Sequence, residues 1–596
     1  MNSGQNPRSN DAPSQDNSRA EKDPLARTQL AVVSVLFLLL AALFVVLAFI
    51  GSIRWSHPIP YWDMWDGQLA FWFQLLDGNT AIWWELSNEH HLVLLKAIFW
   101  LDFTLFAGST TFLIAVNLLL ISLTAVTLVL LLLNYLREST GASFSWPAFA
   151  ILTVPTIALP FAWMQGEDIV FPYHAQFLMN NVIPLASFLF LGLAAALAST
   201  NQRRTSVYFG IGFALAVLSP WTSASGLLIP FIAAGLAWSI HLGWRKVVAL
   251  IVLGVVSIVV YSIDSPFLNT GGDGPLTNLL RSPIEVIRFW LIYLGGPWSQ
   301  LTDSQWIGGV AGAIFVGITV AFVIRALRSS HRSVFGLTVV TFPVFAMLAG
   351  LVTAAGRVSF GIEQVTAIRY LTPMLTAWAC IFILAAPSLH RWLLHRAPLA
   401  FVAVLLVPVL LLPEQESALT PPRDMLHARD TAALAVAIDA PDSAAITPVY
   451  PISADRPREL GQRAKTESVG LFARDPYVTI PATLGLPVTG KAAVSCSGWL
   501  DSRTPLEGSS WDRVDGWVVA DGIPLSREVL TLTDRNAQTI GWVTTGKLRD
   551  DVLAEFPDAS GLNGYSGYLD SSAASGDVYV AGESFRCSEP LISAVP

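Results

Sequence analysis

The chain has 596 residues, of which 53% are hydrophobic and 13% charged, with a formal net charge of -8. An ordinary soluble domain carries roughly 25% charged residues, so an apolar excess of this size excludes a wholly water-solvated fold. No basic tract or aromatic stacking platform is present, which sets nucleic acid aside as a partner.

Residues 1–28 are rich in Ser, Asn, Asp and Pro, lack apolar periodicity, and read as a disordered cytoplasmic tail. Residues 30–50 are too long and too hydrophobic for a cleaved signal sequence and are read as a retained first span. Further spans are predicted at 111–133, 147–163, 176–198, 206–219, 223–240, 247–263, 306–324, 334–352, 370–386 and 397–412, about eleven in all. The 206–219 run is short and, with its successor, reads as a broken pair entering and leaving on one side. Residues 92–106 carry Lys96 and Asp102 and are expected to form an interfacial helix rather than a span.

Positive charge is retained on the cytoplasmic side during insertion. The tail with Arg8, Arg19, Lys22 and Arg27 falls on the same side as Arg137, Arg203, Arg204, Arg245, Lys246, Arg325, Arg328, Arg332, Arg391 and Arg396. An odd number of spans then leaves the C-terminal region outside, the topology expected of a multi-pass bacterial inner-membrane protein.

The outer segments hold the acidic residues. The first, residues 51–110, contains Tyr61-Trp62-Asp63-Met64-Trp65-Asp66-Gly67, then Trp83-Trp84-Glu85 and Asn88-Glu89-His90-His91. Aromatics of this kind favour the bilayer interface, so the segment is expected to lie against the membrane, where a carboxylate is suited to base work. Adjacent histidines point apart on a helix, which argues against zinc. A second outer segment supplies Glu167, Asp168, Tyr173 and His174, and a later one supplies Arg357, Glu363, Arg369 and Tyr370. Arginines on the outer side run against the positive-inside trend, and an anionic ligand such as phosphate explains them. Arg281, Glu285 and Arg288 beside Phe289, Trp290 and Trp298 read as another interfacial helix.

From residue 414 the composition becomes polar and rich in Pro and Gly. Short alternating runs at 517–520, 529–533, 540–544 and 578–581, with turns such as Asp521-Gly522, predict an antiparallel β-sandwich from about residue 480. Trp511, Trp517, Trp542, Tyr565 and Tyr568 are expected to fill its core in preference to stacking on a sugar. Cys380 lies in an apolar run, leaving Cys496 and Cys587 as the one pair able to bridge in an oxidising compartment.

The acidic Trp62-Asp63-Met64-Trp65-Asp66 loop after the first span, the interfacial helices, the outer arginines and the β-rich C-terminal domain together resemble the GT-C superfamily of membrane glycosyltransferases. The resemblance covers most of the chain and is one of architecture more than motif. It implies a GT-C-like transmembrane domain over residues 29–413 and inverting transfer of a sugar from a polyprenyl-phosphate donor to a glycan, lipid or protein acceptor. It assigns Asp63 or Asp66 as the base, with Arg357 and Arg369 stabilising the departing phosphate. Glu89, His90, His91, Glu167, Asp168, His174, Glu363 and Tyr370 would line the substrate site. The resemblance fixes no cofactor, and a divalent metal, Mg or Mn, is left open. Two alternatives share the architecture: a transporter or flippase of lipid-linked glycan, and an O-antigen ligase or polymerase.

Overall fold

The structure, a computed structural model, describes residues 24–87, 90–263, 275–329, 332–395, 398–573 and 576–593. Each of the eleven apolar runs falls on a helix. Among the described residues nine helices are long and apolar enough to cross a membrane: Thr28–Trp55, Thr111–Ser143, Trp146–Val170, Pro172–Ala196, Trp244–Tyr261, Gln305–Arg328, Val334–Phe360, Ile368–Leu394 and Pro398–Ala437. The other two are shorter. Gln202–Leu218 and Ile229–Ser239 are linked by the 3-10 turns Ser219–Trp221 and Ala224–Leu228.

Burial along these helices follows their side chains. On the first, Val32, Leu36, Leu39 and Ile53 are exposed, while Phe44 and Ala48 are buried in the core of the bundle. Large exposed aliphatics in such numbers require an apolar surrounding, which a bilayer supplies. Helix Pro283–Leu294 approaches Gln305–Arg328 through small residues, since a Cβ on Gly312 would collide with the Leu291 carbonyl. Helix Val93–Phe106 is not among the nine; it buries Lys96 and Asp102.

Beyond Pro398–Glu416, the apolar helix of the last span, the helices Arg423–Ala437 and Asp455–Thr466 form a layer that the composition of this region does not announce. Nine strands follow: β1 (Ala492–Val494), β2 (Cys496–Pro505), β3 (Trp511–Ala520), β4 (Val529–Thr533), β5 (Thr539–Lys547), β6 (Gly564–Asp570), β7 (Tyr579–Ala581), β8 (Phe585–Cys587) and β9 (Ile592–Ser593). They hydrogen-bond in one sheet, in the order β1-β8-β7-β4-β5-β6-β3-β2-β9. The pairs β1–β8 and β2–β9 are parallel and the rest antiparallel.

Two stacked sheets were expected; one curled sheet is found. In sheet order five strands lie between β8 and β2, a separation of about 29 Å if flat at ~4.8 Å per strand. Yet Cys496 at the start of β2 is disulfide-bonded to Cys587 at the end of β8, with Cα atoms 5.4 Å apart. The sheet therefore bends into a half-barrel whose ends the disulfide ties together. Val514, Val518, Leu530, Val543 and Tyr565 fill one face, while Trp542 and Tyr568 pack from the other against the helical layer.

That layer also receives the segment following the first span. Ile59, Trp65, Leu69 and Phe73 join Ala433, Val436, Leu460 and Phe472 in one cluster. Trp65 is fully buried and stacks on Phe472 with centroids 6.1 Å apart. Trp65 and Phe73 thus pack against the C-terminal helical layer, whereas Trp84 stacks on His91 and Trp62 is exposed.

Candidate functional site

Where the span ends meet this contact, a cavity of about 230 Å³ opens. Its wall combines the apolar Trp55, Ile59, Met64, Trp163 and Phe171 with the ionisable His57, Glu167, Glu414 and Arg429. Tyr61, Gly166, Gln300 and Ile368 are also part of it, so the first, second and later outer segments converge on one space.

Arg429 comes from the polar helix Arg423–Ala437. Its guanidinium lies 4.1 Å from the Tyr61 ring centroid, and its buried Nε makes no hydrogen bond. Held over the aromatic face and hydrogen-bonded to the Tyr61 side chain, the guanidinium keeps a cation at the cavity wall.

The next residue faces elsewhere. Asp430 Oδ1 accepts from His57 Nε2 at 2.8 Å, and Arg527 donates to Asp430 through Nε (2.8 Å) and Nη2 (3.0 Å). His57 Nδ1 accepts from the Ile59 amide at 3.1 Å, which places the ring proton on Nε2. Burial holds the His57 pKa below the usual histidine range, against the opposing pull of Asp430.

The two candidate bases separate clearly. Asp66 Oδ2 accepts from the Tyr450 hydroxyl at 2.6 Å and Oδ1 from Arg456 Nε at 3.1 Å. Burial, then the Asp66 hydrogen bond, push the Tyr450 pKa up to about 12. Both Asp66 oxygens are therefore committed to docking the C-terminal domain. Asp63 is exposed, between Tyr61 and Met64, which both line the cavity. Gly67 is required beside it, because a Cβ there would stand 2.4 Å from the Tyr173 ring.

Of the candidate residues in the second outer segment, Glu167 lines the cavity and Asp168, Tyr173 and His174 do not. Asp168 is fully buried: His174 Nδ1 donates to its Oδ1 at 2.6 Å and the Thr372 hydroxyl to its Oδ2 at 2.5 Å. Asn117 Nδ2 meanwhile donates to the Ile169 carbonyl at 3.1 Å. These groups brace the turn between two spans, so Asp168 and His174 are structural where substrate contacts were expected.

The histidine pair is also occupied internally. His91 is buried, with Nδ1 2.6 Å from the Trp84 carbonyl oxygen and its ring stacked on Trp84 at 4.6 Å. His90 Nδ1 accepts from the Ala224 amide at 3.4 Å. Glu89 lies outside the described residues.

Arg357 and Arg369 cover their own neighbours, Phe360 at 5.5 Å and Tyr370 at 5.1 Å, and Arg369 donates to Gln364 at 3.3 Å. Neither lines the cavity, although Ile368 does. Glu363 is exposed, and Tyr370 is buried against Tyr293 at 5.3 Å.

The residues that sequence reasoning missed are His57, Glu414, Arg429, Tyr450 and Arg456. A polar helix with Arg423, His427, Arg429 and Asp430 directly after the last span was the one available signal. Among the described residues no three His, Cys, Asp or Glu side chains group as a metal site.

Comparisons of the chain with family models, with curated proteins and with solved structures found no match.

Proposed function

We propose that this protein is a membrane glycosyltransferase that moves a sugar from a polyprenyl-phosphate donor to an acceptor hydroxyl on the outer face of a bacterial inner membrane. The observation that carries this reading is the cavity at the span ends, lined by apolar and ionisable side chains together, with the half-buried Arg429 in its wall and the acidic loop at its edge. A lipid-linked donor needs that combination, because its chain stays in the bilayer while its phosphate and sugar must meet polar groups.

In this mechanism the apolar wall at Trp55, Ile59 and Phe171 takes the first prenyl units. Arg429 faces the phosphate and stabilises the charge that develops on it. Asp63 removes the acceptor proton as the hydroxyl oxygen attacks the anomeric carbon. The carbon–oxygen bond to phosphate breaks, and polyprenyl phosphate leaves with the electron pair. Asp66 takes no part in the chemistry and holds the C-terminal domain over the site. The positive-inside pattern puts this domain outside, and the Cys496–Cys587 bridge is in keeping with an oxidising compartment.

The test is turnover by the full chain in lipid nanodiscs, read as polyprenyl phosphate released from a polyprenyl-phosphate-linked sugar. Wild type is expected to turn over and Asp63→Asn to lose about 10²-fold or more with folding intact. Full activity in Asp63→Asn removes the base assignment, and a wild type inert with every lipid-linked sugar supplied overturns the reading.

A further inference from the structure

A second and larger cavity, about 790 Å³, lies in the C-terminal domain, within the roughly 300–1,000 Å³ range of ligand sites. Its floor is the sheet, at Val529 and Thr531 of β4 and Thr539 and Thr544 of β5. Its wall is residues 475–491, laid across the sheet and fixed there by backbone hydrogen bonds. The Gly485 amide donates to the Thr539 carbonyl at 2.9 Å, the Thr539 amide to Leu486 at 2.9 Å and the Val488 amide to Ala537 at 2.8 Å. The groove is thus a built feature of the domain.

Its chemistry selects among ligands. Four carboxylates, Asp430, Asp475, Glu528 and Glu583, line it against two cations, Lys491 and Arg527, and Arg527 is already paired with Asp430, so the acidic excess disfavours a phosphate or an acidic chain. Asp475, Glu528 and Glu583 on the rim would repel one. A lipid tail would meet too many polar groups, since threonines and carboxylates alternate with Leu486, Pro487, Val488 and Ala581. That alternation fits pyranose rings, which present hydroxyl edges and C–H faces together. Among the described residues the Thr489 and Thr531 hydroxyls make no hydrogen bond and are open to such edges.

We infer that this groove binds a carbohydrate chain, uncharged or amine-bearing, along the sheet of the C-terminal domain. Its inner end is the Asp430–Arg527 pair, whose other partner, His57, lines the membrane-level cavity. A chain lying in the groove therefore points its end at the site where transfer is proposed. Its role as acceptor rests on the proposed activity, whereas its binding does not.

The test is titration of the full chain in nanodiscs with three probes: a neutral gluco-oligosaccharide, a chitosan oligosaccharide and an acidic heparin oligosaccharide. Hydrogen exchange is followed over 475–491 and β4–β5. The neutral or amine-bearing chain is expected to bind and to slow exchange there, and the acidic one to be rejected. Thr531→Trp, filling the floor, and Thr489→Trp, on the exposed wall and harmless to the sheet, should each weaken binding at least tenfold. No binding by either non-acidic chain, binding of the acidic chain alone, or binding unchanged in Thr489→Trp overturns the inference. Groove binding without any transfer removes the acceptor role and the proposed activity but leaves the groove assignment standing.

Discussion

The Tyr450 hydroxyl donates to Asp66 Oδ2 at 2.6 Å across 384 residues of sequence, joining the C-terminal domain to the loop after the first span. Asp66 is therefore a docking residue, and its variants should separate from those of Asp63. Tyr450→Phe and Asp66→Asn are each expected to cost about 1 kcal/mol of stability, the net worth of one hydrogen bond, with transfer retained. Asp63→Asn should do the reverse. Thermal unfolding in detergent, paired with turnover in nanodiscs, distinguishes the two.

Arg429 offers a second separation. Arg429→Gln removes the charge facing the phosphate and should lower kcat by about 10²-fold, whereas Arg429→Lys keeps a charge without the fork and should recover only part of it. Arg357→Gln and Arg369→Gln, which lie off the cavity, should stay near wild type. Steady-state kinetics on all four decide whether the phosphate lies at Arg429.

The disulfide closes a loop with a sequence separation of 91 residues between the two ends of the curled sheet. Replacing both cysteines by serine should cost the C-terminal domain about 2–5 kcal/mol. Its melting transition should fall and lose all sensitivity to reductant, while reduction of the wild type should lower the transition to the same place.

Two buried groups give opposite pH dependences. An unfolded histidine takes up a proton near pH ~6.5, and folded His57 only at lower pH. Its contribution is present above about pH 6.5 and is lost as the pH falls, so His57→Gln should flatten the acid side of the stability curve. Asp102 has its pKa pushed up to about 6, chiefly by burial, with the Thr110 and Ser109 amides pulling it back. Its contribution is present below about pH 3.9 and is lost as the pH rises through 6. Asp102→Asn should therefore raise the melting temperature at pH 7.5 and leave it little changed at pH 4.

Much of the local structure was legible in the sequence. Every apolar run became a helix because a long run of such residues can bury or expose its side chains to lipid only after satisfying its own backbone. The runs at 529–533 and 540–544 fall on β4 and β5, and Trp542, Tyr565 and Tyr568 fill cores as large residues in a small domain should. The candidate site was less legible. Asp63 and Glu167 border or line the cavity, but His91, Asp168 and His174 read equally well as ligands and turned out to be braces, because a polar residue type does not say which way it faces.

The sequence by itself determined that the long apolar segments are helical and which cysteines were able to pair, since hydropathy and composition act over neighbouring residues. Tertiary structure alone decided that the strands form one curled sheet, that Asp66 belongs to Tyr450 and Arg456, and that Arg429 rather than Arg357 or Arg369 enters the cavity. Those outcomes depend on contacts between residues far apart in sequence, 91 positions for the disulfide across the sheet and 384 for Asp66 and Tyr450, where packing and hydrogen-bond geometry choose among partners that local pattern leaves equivalent.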